Sequence, residues 1–208
     1  MKSVEEWISF VFDRPPSDIR AEWFHADDFV EPDIEKSLLC SHVSKVFGNI
    51  NKLMNVYSDV QLANGLNYII SPFASSTAYA LLDQSVPEVD RLSAISSMKN
   101  VFVDLFEKKC NSSSAHLNFI CHMWWDMFPR HGVPFKSFLK MTDELVLSLM
   151  EDLLHLENPE CKKSGLHGLG HWYFGYPDTV AEIIERNIVC MPGELKEYAR
   201  KAKHGEMQ

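Results

Sequence analysis

The stretch that decides the fold runs from Asn158 to Phe174 and reads NPECKKSGLHGLGHWYF. It opens with an Asn-Pro turn signal followed by an acidic residue, which is typical of the start of a helix. Apolar residues then recur at i, i+3 and i+7, on one face of a helix: Leu166, Leu169 and Tyr173. His167 and His171 lie four residues apart on the same helix. The stretch is therefore either half of a metal or catalytic site or one unit of a repeated helical scaffold.

The rest of the chain shows helical apolar spacing, and almost no run alternates with period two. Long helices are predicted to begin at Glu31, at Val86 and near Phe138, and each is followed by a turn and a shorter helix. Pro72 lies inside the first of these shorter helices and should end or kink it. These patterns predict an all-α protein.

The three shorter helices can be aligned with one another. They read NGLNYIISPF from Asn64, AHLNFICHMW from Ala115 and SGLHGLGHWY from Ser164, and their leucines are 51 and then 49 residues apart. The aligned apolar stripes are Leu66, Ile69 and Phe73, then Leu117, Ile120 and Trp124, then Leu166, Leu169 and Tyr173. A period near 50 in a helical chain indicates stacked helix pairs, because a single pair cannot bury its own apolar face.

With this period the chain resembles the HEAT/armadillo-like superfamily of α-solenoids over residues 33–190. We expect one domain, 1–208, of about three helix pairs, with residues 1–32 as an N-terminal helical cap and 191–208 as a C-terminal helix. The resemblance implies a curved stack whose second helices line the concave side. In that family the concave side commonly binds proteins, sometimes nucleic acid, and catalysis is the exception.

Polar residues form a second line on the aligned helices. They occupy three successive turns about 100° from the apolar stripe: Asn67, Asn118 and His167, then Ser71, His122 and His171, then Ser75, Asp126 and Gly175. If the helices stack in register, these residues form a ridge that faces a partner. The alternative is that they cap helices or make hydrogen bonds between helices.

Charge favours a basic partner. The net charge is −9 and the pI is near 5.4, which opposes binding to nucleic acid and to anionic membranes. The first 36 residues hold ten acidic and four basic side chains, as a solvated cap or as a docking surface. Residues 141–161 contain no Lys or Arg and six acidic residues: Asp143, Glu144, Glu151, Asp152, Glu157 and Glu160. Of these, all but Glu160 join the ridge in the predicted partner-binding set.

A metal or catalytic site is the alternative function. Four side chains with i, i+4 spacing on neighbouring helices would supply its ligands: His122, Asp126, His167 and His171. The pair on the third helix lacks the internal acid of an H-E-x-x-H motif, and Gly168 and Gly170 indicate close helix approach instead. Nucleophile elbows and phosphate-binding glycine loops are missing from the sequence, so neither catalysis nor a cofactor is expected.

The chain has five cysteines, an odd number, and no two of them have C-x-x-C spacing. This pattern predicts reduced thiols in a reducing compartment. The N-terminus has no signal-peptide pattern, and no stretch approaches the roughly 20 apolar residues of a membrane span. We therefore expect a cytoplasmic protein without membrane contacts. Trp7, Phe10 and Phe12 suit either the core or a homodimer interface.

These observations predict a non-catalytic, protein-binding α-solenoid with a basic partner. The profile is similar to that of bacterial toxin-immunity proteins, which implies capture of a cationic toxin domain such as a nuclease. Charge complementarity would speed that association and make it specific. A metal-dependent enzyme or metalloprotein and a nucleic-acid-binding solenoid are the alternatives.

Overall fold

A computed structural model describes residues 1–15, 23–111, 113–132 and 137–207. Across these ranges the chain is helical and contains no strand, which confirms the prediction of an all-α protein. None of the described helices is long and apolar enough to cross a membrane. Four cysteines are buried and Cys190 is exposed, and all five are free thiols.

The chain forms thirteen α-helical segments in the described ranges. The first seven are α1 (Val4–Phe12), α2 (Lys36–Gly48), α3 (Ile50–Leu53), α4 (Asp59–Ile70), α5 (Thr77–Ala80), α6 (Glu88–Ser96) and α7 (Met98–Asn100). The others are α8 (Glu107–Lys109), α9 (Ala115–Met127), α10 (Lys140–Leu153), α11 (Pro159–Trp172), α12 (Pro177–Ile188) and α13 (Gly193–Ala202). A π-helical segment, Val101–Phe106, joins α7 to α8, and short 3₁₀ turns lie at Trp23–His25 and Ser137–Leu139.

The helices pack in two rows. In one row α2 packs against α6 and α6 against α10, and in the other α4 packs against α9 and α9 against α11. The first row contains the helices predicted to be long and the second row contains the three aligned helices predicted to be shorter. The predicted difference in length is wrong, because α6 ends at Ser96 and the helix predicted from Val86 continues as α7, the π-helical segment and α8. Helix α1 covers α2 and α4 at one end, whereas α12 and α13 cover α11 at the other.

Pro72 ends a helix as predicted, and this removes one member of the apolar stripe. Helix α4 stops at Ile70, because proline has no N–H to donate and its ring clashes with the preceding turn. Phe73 therefore lies beyond the helix and is 88% exposed, so its assignment to the buried stripe is wrong. Leu66 and Ile69 are buried as predicted.

Helix α11 is packed closely by its neighbours, and its glycines make this packing geometrically feasible. A Cβ atom at Gly165 would lie 2.7 Å from the backbone oxygen of Met150 on α10. One at Gly168 would lie 2.6 Å from Trp125 on α9. Side chains of ordinary size would push these helices apart. The glycines therefore serve close helix packing, as the sequence indicated.

Asn158 joins two parts of the chain that are far apart in sequence. Its side-chain oxygen accepts a hydrogen bond from the backbone N–H of Glu160 at 2.9 Å and so caps the start of α11. Its amide nitrogen donates to the carbonyl oxygens of Phe106, Glu107 and Cys110, at 3.3, 3.2 and 2.8 Å. One side chain thus satisfies the free backbone groups at the end of one helix and the start of another.

We expect Asn158→Ala to lower the free energy of unfolding by about 1–2 kcal/mol, because the cap and the carbonyl partners are lost together. Urea denaturation monitored by circular dichroism measures the change. Asn55→Ala is the control, since Asn55 is exposed and its amide donates to the carbonyl of Asn51, one turn earlier on the same stretch of chain. Equal midpoints for the two variants would contradict this role of Asn158.

Candidate functional site

The predicted polar ridge is not an exposed surface. On α4 and the turn after it, Asn67, Ser71 and Ser75 are buried. Ser75 donates its hydroxyl hydrogen to the carbonyl of Tyr68, and Ser71 accepts a bond from the N–H of Phe73. On the first of the three aligned helices the polar residues therefore make local hydrogen bonds, which was the alternative to a ridge that faces a partner. Their assignment to partner binding is wrong.

On the other two aligned helices the polar residues turn toward each other. Asn118 donates to the carbonyl of Asn111 at 2.7 Å, which again is a local bond. His167 is only 3% exposed, so it faces neighbouring helices and cannot meet a partner as predicted. His122, Asp126 and His171 are half-buried around it. The polar residues of α9 and α11 therefore meet inside the structure, where they form an internal cluster.

The acidic residues of α10 are largely paired within the chain. Asp143 is 1% exposed and accepts hydrogen bonds from Arg130 and from the hydroxyl of Tyr176, so it is not a docking residue. Glu151 accepts hydrogen bonds from the side chains of Arg186 and Asn187. Asp152 lies 2.8 Å from the ammonium of Lys99. Glu144 and Glu157 are exposed, as a partner-binding role requires.

An open apolar groove runs between α6 and α10. Its apolar lining consists of Val89 and Leu92 from α6 and Met141 and Leu145 from α10. Val89 is 71% exposed and Met141 is 53% exposed, although both are large apolar side chains. Two acidic residues, Glu88 and Glu144, also line the groove. Sequence periodicity missed this groove because it assigned every apolar residue of a helical stripe to the core.

Lys140 forms a long ion pair with Glu144 beside the groove. Its ammonium lies 3.8 Å from the carboxylate, and both side chains are well exposed. An exposed i, i+4 pair of this kind contributes about 0.3–0.5 kcal/mol and is screened by salt. The pair is therefore easily opened, and the carboxylate remains accessible to a cation from outside the chain.

The internal cluster consists of Asp126 on α9 and His167 and His171 on α11. The Nε2 atom of His167 lies 2.9 Å from Oδ2 of Asp126, and Nε2 of His171 lies 2.9 Å from Oδ1. The two Nε2 atoms are 3.2 Å apart. Each of the three residues offers one ligand atom within 4.8 Å of the ligand atoms of the other two, which is the arrangement of residues that could hold a metal ion.

Three further side chains surround the cluster. The hydroxyl of Tyr198 on α13 lies 2.7 Å from Nδ1 of His167. The ring centroid of His122 lies 4.4 Å from that of His167, and that of His131 lies 6.2 Å from that of His171. The sequence provided His122, whereas Tyr198 and His131 were missed because no spacing rule links them to α11.

The electrostatics of the cluster favour a negatively charged Asp126 beside an uncharged His122 and an uncharged Tyr198. Burial alone would raise the pKa of Asp126, but the imidazoles of His167 and His171 beside the carboxylate outweigh it and hold that pKa well below its usual range. Burial, followed by the charge of His167, lowers the pKa of His122 to about 4. Burial, together with the charge of Asp126, raises the pKa of Tyr198 to about 12. At neutral pH His122 and Tyr198 are therefore uncharged.

Comparisons with known proteins add no family to this description. A scan against models of protein families gave no match. Neither a search of curated proteins nor a search of solved structures gave a significant match. Function is therefore argued from the groove and from the cluster.

Proposed function

We propose that the chain is a non-catalytic, protein-binding α-solenoid whose partner is basic. The observation that carries this proposal is the groove between α6 and α10, where Val89 and Met141 present apolar surface to solvent and two acidic residues share the lining. Apolar side chains exposed together and rimmed by polar groups are typical of interaction sites. The partner matched to this surface has an apolar ridge flanked by lysine or arginine.

Two features support a solenoid scaffold for this groove. The groove lies between the first helices of successive helix pairs, and the two rows of helices repeat the same order along the chain. Such stacks bind partners over extended faces built from equivalent helices. The two rows also keep the groove rigid, because α6 and α10 each have one face in the core.

The specific role that we propose is immunity to a cationic toxin domain, for example a bacterial nuclease, in the cytoplasm of the producing cell. The net charge of −9 supports this role, because opposite charge raises the rate at which the partners meet. The same charge argues against the nucleic-acid-binding alternative. A neighbouring gene for a large secreted protein with a basic C-terminal domain is the genomic arrangement that this role predicts.

Affinity purification from the native host after cross-linking identifies the partner, and titration with the purified partner then measures affinity. We expect Met141→Asp to weaken binding by about tenfold or more, because an apolar side chain that the partner would bury in the complex becomes a charged one. Val189→Asp is the matched control, since Val189 is equally apolar and 76% exposed but lies outside the groove.

Two results would overturn the proposal. One is equal affinity of the Met141→Asp and Val189→Asp proteins for the purified partner. The other is a purified partner with an acidic contact surface. Affinity that falls as salt is raised would support the charge argument, because exposed charges are screened beyond about 10 Å at 0.1 M salt.

A further inference from the structure

The cluster on α9 and α11 has the donor set of a transition-metal site. Two imidazole nitrogens and one carboxylate oxygen are ligands that Zn²⁺ accepts in catalytic and structural sites. We infer that Asp126, His167 and His171 together bind one divalent transition-metal ion, with Zn²⁺ as the probe that tests it. This site is separate from the groove and does not depend on the proposed function.

Distances between the three atoms support a shared ion. The two Nε2 atoms are 3.2 Å apart, and each lies 2.9 Å from a different oxygen of Asp126. Neighbouring ligands around an ion with bonds of about 2.1 Å are about 3.0–3.4 Å apart, for octahedral and tetrahedral angles respectively. A small separation and rotation of the side chains would therefore suffice to place both nitrogens and the carboxylate around one ion.

Hydrogen bonding alone leaves one oxygen of the cluster unsatisfied. If Tyr198 donates to Nδ1 of His167, Nε2–H can donate to Oδ2 of Asp126, and that oxygen is satisfied. Oδ1 of Asp126 is buried and has no hydrogen-bond partner of acceptable geometry among the described residues, although Nε2 of His171 is 2.9 Å away. A buried carboxylate oxygen without a partner costs free energy, and a cation between the three atoms satisfies it.

Tyr198 provides the outer support that metal-binding histidines require. With an ion on Nε2, Nδ1 of His167 carries the hydrogen and donates it to the hydroxyl oxygen of Tyr198. Three helices thereby fix the site, with Asp126 on α9, the histidines on α11 and Tyr198 on α13. His171 is 34% exposed, which leaves a path from solvent for the ion.

The test uses full-length protein without a histidine tag, stripped with EDTA and titrated with Zn²⁺ by calorimetry. We expect one equivalent to bind. In His171→Ala and Asp126→Asn, affinity should fall by more than about 100-fold, because each variant removes a direct ligand. His155→Ala is the matched control, since His155 is exposed and lies outside the cluster, and it should bind like the wild type.

Tyr198→Phe separates a metal site from a hydrogen-bonded pair. It keeps all three ligands, and we expect about 10–100-fold weaker Zn²⁺ binding with an unchanged stoichiometry of one. Co²⁺ in place of Zn²⁺ should give visible absorption bands that His171→Ala abolishes. Circular dichroism of each metal-free variant establishes that it is folded before titration.

The inference is overturned if the stripped wild-type protein binds no Zn²⁺ at micromolar concentrations. It is also overturned if folded His171→Ala and Tyr198→Phe proteins both bind with the affinity of His155→Ala. Neither result would affect binding of a protein partner to the groove, so failure here is distinguishable from failure of the proposed function.

Discussion

Asp143→Ala is expected to lower the free energy of unfolding by about 3–5 kcal/mol, because it leaves the buried guanidinium of Arg130 without its carboxylate. Nε of Arg130 donates to Oδ1 of Asp143 at 2.7 Å, and the hydroxyl of Tyr176 donates to Oδ2 at 2.6 Å. Both charged side chains are at least 94% buried. Burial and this bond to Asp143 also raise the pKa of Tyr176 to about 12, so the tyrosine remains a donor at neutral pH.

Glu144→Ala is the matched control for this prediction. It removes a carboxylate from the adjacent position of α10, but that side chain is exposed, and its one ion pair within the described residues is the long one with Lys140. We expect a change within about 0.5 kcal/mol. Urea denaturation of both variants measures the difference, and a loss of less than about 1 kcal/mol for Asp143→Ala would show that the pair contributes little.

Gly165→Val is expected to destabilise the protein by about 2–3 kcal/mol, because α11 cannot move away from α10 without opening the core. The added Cβ would lie 2.7 Å from a backbone oxygen of Met150 and 3.1 Å from Cβ of Leu153, and neither atom can swing aside as a flexible side chain can. Valine has a better helix propensity than glycine by a few tenths of a kcal/mol, which is too little to offset the clash.

Gly48→Val provides the comparison at a helical glycine with free space around it. Gly48 ends α2, is exposed, and an added Cβ would meet no atom within 4 Å. We expect its melting temperature to stay within a few degrees of the wild type, whereas that of Gly165→Val should fall by about 5 °C or more. Similar melting temperatures for the two variants would show that the contact of α11 with α10 is loose.

Local sequence features predicted the helices well. Turn residues precede α11 and α12, and a proline ends α4; these signals act over one or two helical turns. The period near 50 residues repeats along the chain. Both kinds of signal can be seen in a single sequence. The pairing of α9 with α11 also followed from this period, and with it the meeting of Asp126, His167 and His171.

The charges were predicted less well, since their partners come from distant segments. Residues 141–161 contain no Lys or Arg, yet Lys99, Arg130 and Arg186 reach their carboxylates from elsewhere in the chain. A count of charges along the sequence cannot show such pairings. Tyr198 was missed for the same reason, because its hydroxyl meets His167 only after α13 folds back onto α11.

Asn158 has a consequence for how the molecule comes apart. Stacked helical repeats can unfold from one end, unit by unit, when each unit interacts only with its neighbours through side chains. Here one side chain binds carbonyls of Phe106, Glu107 and Cys110 while capping α11, so neither helix end can fray without exposing the other. We therefore expect the middle and the C-terminal third of the chain to unfold together rather than one after the other.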